Sequence, residues 1–336
     1  MADARKFDLK LFEATIGKMF GSEALTTLDG QAVRGGPGTF IPSSSESLNT
    51  AIGIGGLPRG RVVEIFGPES GGKTTLALDF CAHAQRLYPK LPVMYIDTEH
   101  AFDVEYARLL GVDIGKSRFI LAQPSCAEEA LEIAYEAAKA GACMIVVDSV
   151  PAMSLKKDLE EHLSTEERVG GKAKVLRNHL SRMIGVLEET DGIAIYINHI
   201  TYKVGVVYGS PEQVGGGTGL KFFASVRIDV RTKEQLQADG ADDPHGIRCK
   251  AKVVKNKVAP PFRKAEYDII FGEGIDRISG LLDAAIAAEV VTKSGSWFSL
   301  GDERIGQGRE SVKARLKKEP EFEARVRKAL ESCRNK

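Results

Sequence analysis

The sequence predicts an α/β fold, a mostly parallel central sheet flanked by helices, and three observations carry that expectation. From about residue 46 to 272, apolar runs of strand length alternate with helical patterns. One run, Arg61–Phe66, leads directly into Gly67-Pro68-Glu69-Ser70-Gly71-Gly72-Lys73-Thr74, which in turn opens a helix. Another, Met144–Asp148, is apolar throughout and ends in an acid, as a parallel strand buried on both faces does.

The elements follow in order. Residues 7–20 read as a short amphipathic helix with Leu9, Phe12, Ile16 and Phe20 along one side. A stretch rich in Gly, Pro and Ser at 29–45 reads as a linker. Strands are expected at Arg61–Phe66, Val93–Asp97, Met144–Asp148, Ile193–Asn198, Val226–Val230, Ala251–Val258 and Glu266–Phe271. One helix between them is marked by Ser125 as cap, Glu128 completing a capping box and Gly141 as its end. Beyond about 273 a smaller segment closes with Phe322, Val326 and Leu330 at helical spacing. The expected domains are 1–45, 46–272 and 273–336.

A length of 336 residues suits one large domain with appendages, and 43% hydrophobic residues suffice for a sizeable core. Lys+Arg and Asp+Glu are both 46, a neutral sum that by itself points away from a nucleic-acid binder. Binding depends on where charges lie, however, and two runs carry cations without an acid: Arg168–Arg182, and Arg248–Lys264 with seven Lys or Arg. The five cysteines have neither zinc nor disulfide spacing. No signal-peptide core opens the sequence, and its longest apolar stretch, near Cys143–Met153, is interrupted by Asp148. A reducing, cytoplasmic setting and no membrane are therefore expected.

The glycine-rich loop fits GxxxxGK[ST] in full and sits between a strand and a helix, as a phosphate cradle must. Its backbone N–H groups would converge on phosphate oxygens at a helix N-terminus. Lys73 would neutralise the β- and γ-phosphates, while Thr74 would ligate Mg²⁺. Asp148, at the C-terminal end of its strand, supplies the second acidic group that holds hydrated magnesium. Glu99, two residues beyond VMYID, is placed either to orient the attacking water or simply as a surface carboxylate. ATP and Mg²⁺ are the expected cofactors.

GPESGGKTT, YIDTEHAFD, EYARLLGVD, VVDSV, the glycine loop before LKFFASVR, and VVKNKVAPPF together resemble the bacterial-type RecA recombinase family, in order from about Leu48 to Gly308. The resemblance implies a RecA-like P-loop ATPase core, a small N-terminal helix–strand arm (with Ala24–Leu28 as its strand) that packs on the adjacent subunit, and a small C-terminal α/β domain. It implies an ATP-dependent recombinase that polymerises on single-stranded DNA, pairs it with a homologous duplex and exchanges strands. By position, Thr75 completes the phosphate loop, Glu99 activates water, Tyr106 stacks on adenine, and Lys255 and Lys257 reach the neighbour's ATP across a filament interface. Phe222 matches an interface residue, with core packing as its plain alternative. Two DNA-binding loops are implied near 158–174 and 201–217, bringing forward Arg168, Lys172, Lys174, Arg177 and Arg182, then Lys203 and Tyr208. Composition alone describes solvated loops there. Arg304 and Arg309 in ERIGQGR resemble the family's duplex-capture surface. A single-strand-binding protein and a self-cleaving repressor are further implied partners.

Three departures stand out. His199 occupies the position where typical members carry Gln as γ-phosphate sensor, so coupling between DNA binding and hydrolysis is expected to depend on pH. The first loop, LEEHLSTEERVGGK, is more charged than the family pattern. The sequence closes in EARVRKALESCRNK without the acidic tail of many members, from which easier duplex binding is expected. A ring-forming, helicase-like motor and an accessory P-loop ATPase share the core motifs; the first would show translocation and a closed ring in place of an open filament, and hydrolysis without stimulation by single-stranded DNA would exclude an ordinary recombinase.

Overall fold

A computed structural model describes residues 9–21, 39–115, 117–160, 170–202, 212–237 and 243–334. The chain divides into two units, Met1–Gly36 and Pro37–Lys336. In the first, α1 (Leu9–Phe20) buries none of its residues and exposes Leu9, Leu11, Phe12, Met19 and Phe20. A helix of this length is marginal by itself in water. The expected strand Ala24–Leu28 lies outside the described residues.

The second unit opens with β1 (Phe40–Ile41), α2 (Glu46–Ile52) and β2 (Leu57–Pro58), the two strands pairing antiparallel. Here the linker expected over 29–45 is corrected in its described part. Ile41 is fully buried, and the Asn49 side chain accepts from the Ser43 N–H at 2.8 Å and donates to its carbonyl at 2.9 Å. Ser45 caps α2 by accepting from the Leu48 N–H. The serines fold this corner by satisfying backbone groups, the same chemistry that in an open chain favours turns.

Then follow β3 (Arg61–Gly67), α3 (Lys73–Leu87), β4 (Val93–Asp97), α4 (Val104–Leu109), β5 (Phe119–Ala122), α5 (Ala127–Lys139), β6 (Met144–Asp148), α6 (Lys156–Glu160), α7 (Gly171–Thr190), β7 (Ile193–Tyr202), β8 (Glu212–Val214), α8 (Gly219–Phe223), β9 (Val226–Leu236), β10 (Gly246–Asn256), β11 (Lys264–Ile270) and β12 (Gly274–Ile275). They build one sheet in the order β12-β11-β10-β9-β3-β7-β6-β4-β5, with β8 on the end of β7. Strands β9 through β5 along this path pair in parallel, and β10 to β12 extend the sheet antiparallel. The expected strands are present with shifted ends: β7 runs on past Asn198 because Ile200–Tyr202 pair with β8, and β9 runs on to Leu236 along β10. β5, a half-exposed edge strand, was not expected.

One face of the sheet packs on α2 and α3 through Val63, Ile65, Tyr95, Val146, Ile195 and Ile228. The other packs on α5 and α7 through Val62, Ile96, Ile145, Val147 and Tyr196. On α7, Leu176, Leu180, Met183 and Leu187 form the buried side, as their spacing indicated, and the buried His179 joins them, sharing a 2.6 Å hydrogen bond with Tyr196. The cap of α5 differs from expectation. Cys126 occupies the N-cap without a side-chain bond, and Glu129 rather than Glu128 reaches back, accepting from the Ser125 N–H at 2.9 Å. The remaining elements, α9 (Arg277–Ala287), an antiparallel sheet of β13 (Val291–Ser294), β14 (Trp297–Leu300) and β15 (Glu303–Gln307), α10 (Arg309–Lys318) and α11 (Pro320–Arg334), close around their own core of Leu281, Leu282, Phe298, Val312, Leu316, Phe322, Val326 and Leu330. No described helix is long and apolar enough to cross a membrane.

Candidate active site

The strand register assembles the site. Gly67 at the end of β3 lies beside His199 on β7, and Asp97 at the end of β4 lies beside Asp148 at the end of β6. All four sit at the carboxyl edge of the parallel strands, where α/β sheets bind their ligands. Between β3 and α3 the loop 68–72 turns tightly. A Cβ on Gly67 would stand 2.0 Å from the Val230 carbonyl oxygen, and Gly72 caps α3 at φ 84°, a left-handed conformation that favours glycine.

The cleft above this edge has a volume of about 520 Å³ and is lined by the loop from Glu69 through Thr75, together with Glu99, Tyr106, Asp148, His199, Ile247, Ile269 and Phe271. Lys73 is buried and donates to the Pro68 carbonyl at 2.5 Å. The Thr74 hydroxyl donates to Asp148 Oδ2 at 2.8 Å, and the Tyr95 hydroxyl to the same oxygen at 2.7 Å. Glu99 Oε1 accepts from the Ser149 hydroxyl and lies 3.2 Å from His199 Nε2. Tyr106, on α4, shares a 2.7 Å hydrogen bond with Thr75, leaving its ring as part of the cleft wall beside three apolar side chains. Asp97 shapes the loop that carries Glu99 by accepting from the N–H groups of Glu99 and Phe102 and from Gln123.

The electrostatics call for a cation. Burial pushes the Asp148 carboxyl up, with the Glu99 and Asp97 charges adding to it, against hydrogen bonds from Tyr95 and Thr74. Burial holds Lys73 below the usual lysine range, opposed by Asp148, Glu99 and Glu69. One hydroxyl and one carboxylate, already touching, are hard oxygen donors of the kind magnesium takes when phosphates and water complete its shell. Among the described residues no group of three or more His, Cys, Asp or Glu forms an all-protein metal cage.

Of the residues singled out in sequence, Glu69 to Thr75, Glu99, Tyr106, Asp148 and His199 converge on this cleft. Lys255 and Lys257 do not line it: Lys255 donates to the Lys221 and Phe222 carbonyls, each at 2.8 Å, and Lys257 is exposed. Phe222 is 67% exposed, which removes core packing as its explanation. Lys174 and Arg177 are exposed on α7, whereas Lys172 donates to the Pro151 carbonyl at 3.0 Å. Arg182 is taken up by Glu132 at 3.0 Å and by the Tyr135 ring at 3.9 Å. Arg168, Lys203 and Tyr208 lie outside the described residues. Arg304 lies over the Trp297 ring, while Arg309 forms a two-pronged pair with Asp283 at 2.5 and 2.8 Å. Tyr95, Asp97 and Ser149 were missed in sequence; the only signal was their position at or beside the acidic strand ends of VMYID and MIVVD.

The RecA N-terminal domain family matches residues 8–276, and the RecA C-terminal domain family matches 279–332. The chain belongs to the RecA family. Protein RecA of Chlorobium limicola is 46% identical over 318 residues, covering 94% of this chain and 88% of that relative. Protein RecA of Geobacter metallireducens is 43% identical over 327 residues, covering 97% and 94%. A crystal structure of the RadB recombinase shares the fold at TM-score 0.50 and 22% identity, over 68% of this chain and 96% of that one. As a member of the RecA family the chain is an ATP-dependent homologous recombinase and a DNA-dependent ATPase, with DNA and further copies of itself as partners.

Proposed function

We propose that this cleft hydrolyses MgATP and that the bound γ-phosphate, sensed from two sides, sets the DNA-binding state of the filament. The observation that supports it is the convergence of phosphate loop, Thr74–Asp148 pair, Glu99 and Tyr106 in one cleft. Backbone N–H groups of residues 69–75 bind the phosphates at the start of α3, and Lys73 trades its bond to the Pro68 carbonyl for a phosphate oxygen. Tyr106 takes the adenine face. Thr74 and Asp148 would hold Mg²⁺, which when bound neutralises charge on the β- and γ-phosphates. Glu99, oriented by the Ser149 hydroxyl, accepts the proton of the attacking water. His199, within reach of Glu99, meets the γ-phosphate from the same subunit, and Lys255 and Lys257 meet that of the neighbour. A cation delivered in trans stabilises transferring charge and ties hydrolysis to assembly.

On the same reading, residues 1–36 form the polymerisation arm, 37–272 the ATPase core with its DNA loops, and 273–336 a duplex-capture domain. Lys174 and Arg177, with Arg168, Lys172, Lys203 and Tyr208, hold single-stranded DNA; Arg304 beside Trp297 contacts duplex. A single-strand-binding protein, a self-cleaving repressor and a cytoplasmic setting belong to the proposal through the family resemblance. The test is ATP hydrolysis with and without single-stranded DNA. Stimulation that Lys73→Ala abolishes is expected; a Lys73→Ala protein that keeps stimulated hydrolysis would overturn the site.

A further inference from the structure

A row of buried charge crosses the sheet beneath the two phosphate-sensing groups without touching the nucleotide cleft. Glu64 on β3 stands opposite Arg227 on β9, and Arg227 stands opposite Lys255 on β10. Glu64 is 1% exposed and Arg227 9%. One Glu64 oxygen accepts from Arg227 Nε, and the other from Asn198 Nδ2 at 2.9 Å. Asn198, wholly buried, also donates to the Gly215 carbonyl at 3.0 Å, and its own side-chain oxygen accepts from the His199 N–H at 3.0 Å. The Arg227 guanidinium lies 4.6 Å from the centre of the Phe66 ring. Hydrogen bonds and strand register thus link the His199 backbone, through Asn198, Glu64 and Arg227, to Lys255.

Stability alone is a poor reason for such a pair. Desolvating two charges offsets much of their attraction, and well-packed apolar residues of similar volume often hold a fold equally well. What the pair supplies is a defined arrangement with something to respond to at each end. We propose that Glu64 is a positioning residue coupling His199, which faces the subunit's own nucleotide, to Lys255, offered to the neighbour's. The inference rests on the roles assigned above to those two side chains. A shift of the His199 backbone draws on Asn198, and Asn198 shares one Glu64 carboxylate with Arg227. Burial, Lys257 and Arg227 all disfavour the charge on Lys255, and Glu64 favours it. Movement of the carboxylate toward or away from Arg227 therefore changes how strongly Lys255 is repelled from its resting place against the α8 carbonyls.

The test uses the full chain assembled on single-stranded DNA, with ATP hydrolysis followed against ATP concentration. Glu64→Gln and the charge-free double variant Glu64→Gln/Arg227→Gln should both lower the Hill coefficient toward unity. The double variant, which leaves no unpaired buried charge, should keep the thermal midpoint of the parent, so that the loss is not one of folding. Lys255→Ala and His199→Ala are measured beside them. If those two lose cooperativity while a folded double variant keeps it, the coupling role of Glu64 is wrong and the site assignment stands. If all four behave as the parent, the site assignment falls and this inference with it.

Discussion

Acid should loosen the α7 helix that carries Lys174 and Arg177, and His179 supplies the reason. Burial and the Arg182 charge lower its pKa from 6.5 to about 4, against a smaller opposing effect of Glu132. A histidine lowered in this way contributes stability above its unfolded value and loses it as pH falls toward the folded one, because the unfolded chain takes up the proton first. Between pH 7 and pH 5 that loss is about 2 kcal/mol. His83, lowered to about 4 mainly by burial, adds about 2 kcal/mol in the same direction. Asp79 opposes both: burial raises it to about 6, so protonation favours the folded state, returning about 1 kcal/mol over the same interval. The three groups together predict a net loss of about 2 kcal/mol. His179→Gln keeps a partner for the otherwise enclosed Tyr196 hydroxyl and removes the titration, so its loss should be only about 0.5 kcal/mol. Urea midpoints at the two pH values, at matched slope, measure the difference. Equal pH dependence in parent and variant would refute the assignment of His179 as a buried neutral group.

Three further outcomes are expected. Tyr95→Phe, which deletes the 2.7 Å bond orienting Asp148, should raise the Mg²⁺ concentration for half-maximal hydrolysis about tenfold, leaving ATP binding at saturating Mg²⁺ near that of the parent. His199→Ala should weaken the stimulation of hydrolysis by single-stranded DNA, and unchanged stimulation would remove the side chain from the coupling. Lys174→Ala should lower the slope of log K for single-stranded DNA against log salt by about 0.7, whereas Arg182→Ala, whose charge is already spent on Glu132 and Tyr135, should leave it unchanged.

The contrast between Lys174, exposed on α7, and Arg182, paired with Glu132, shows that a run of sequence does not record which of its cations meet an acid in the fold. The glycine-rich loop was legible because its pattern is local: its residues are adjacent and need only a strand before and a helix after. Asp148 was legible because strand ends share one edge of a parallel sheet. The run Arg248–Lys264 is acid-free along the chain but not in space at its first residue, since charges pair across strands. Arg248 meets Asp268 directly opposite on β11 and Glu234 on β9, at 2.7 and 2.9 Å. Arg309 likewise finds Asp283, and Arg182 finds Glu132, from helices far away in sequence. Tyr95 and Ser149 were invisible for the same reason: nothing in YID or DSV records that one hydroxyl will meet Asp148 and the other Glu99.

The end of β7 has a consequence for anyone wishing to redesign this protein. Tyr202 at the end of β7 pairs with Glu212 at the start of β8, and the Gly215 N–H closes on the His199 carbonyl at 3.3 Å. These paired residues are a fixed pair of anchors. A foreign loop of different length can be exchanged between them while the Ile200–Val214 pairing is kept. A single residue added between Asn198 and Tyr202 instead would turn every following side chain to the opposite face. It would shift any loop, native or foreign, out of register with His199.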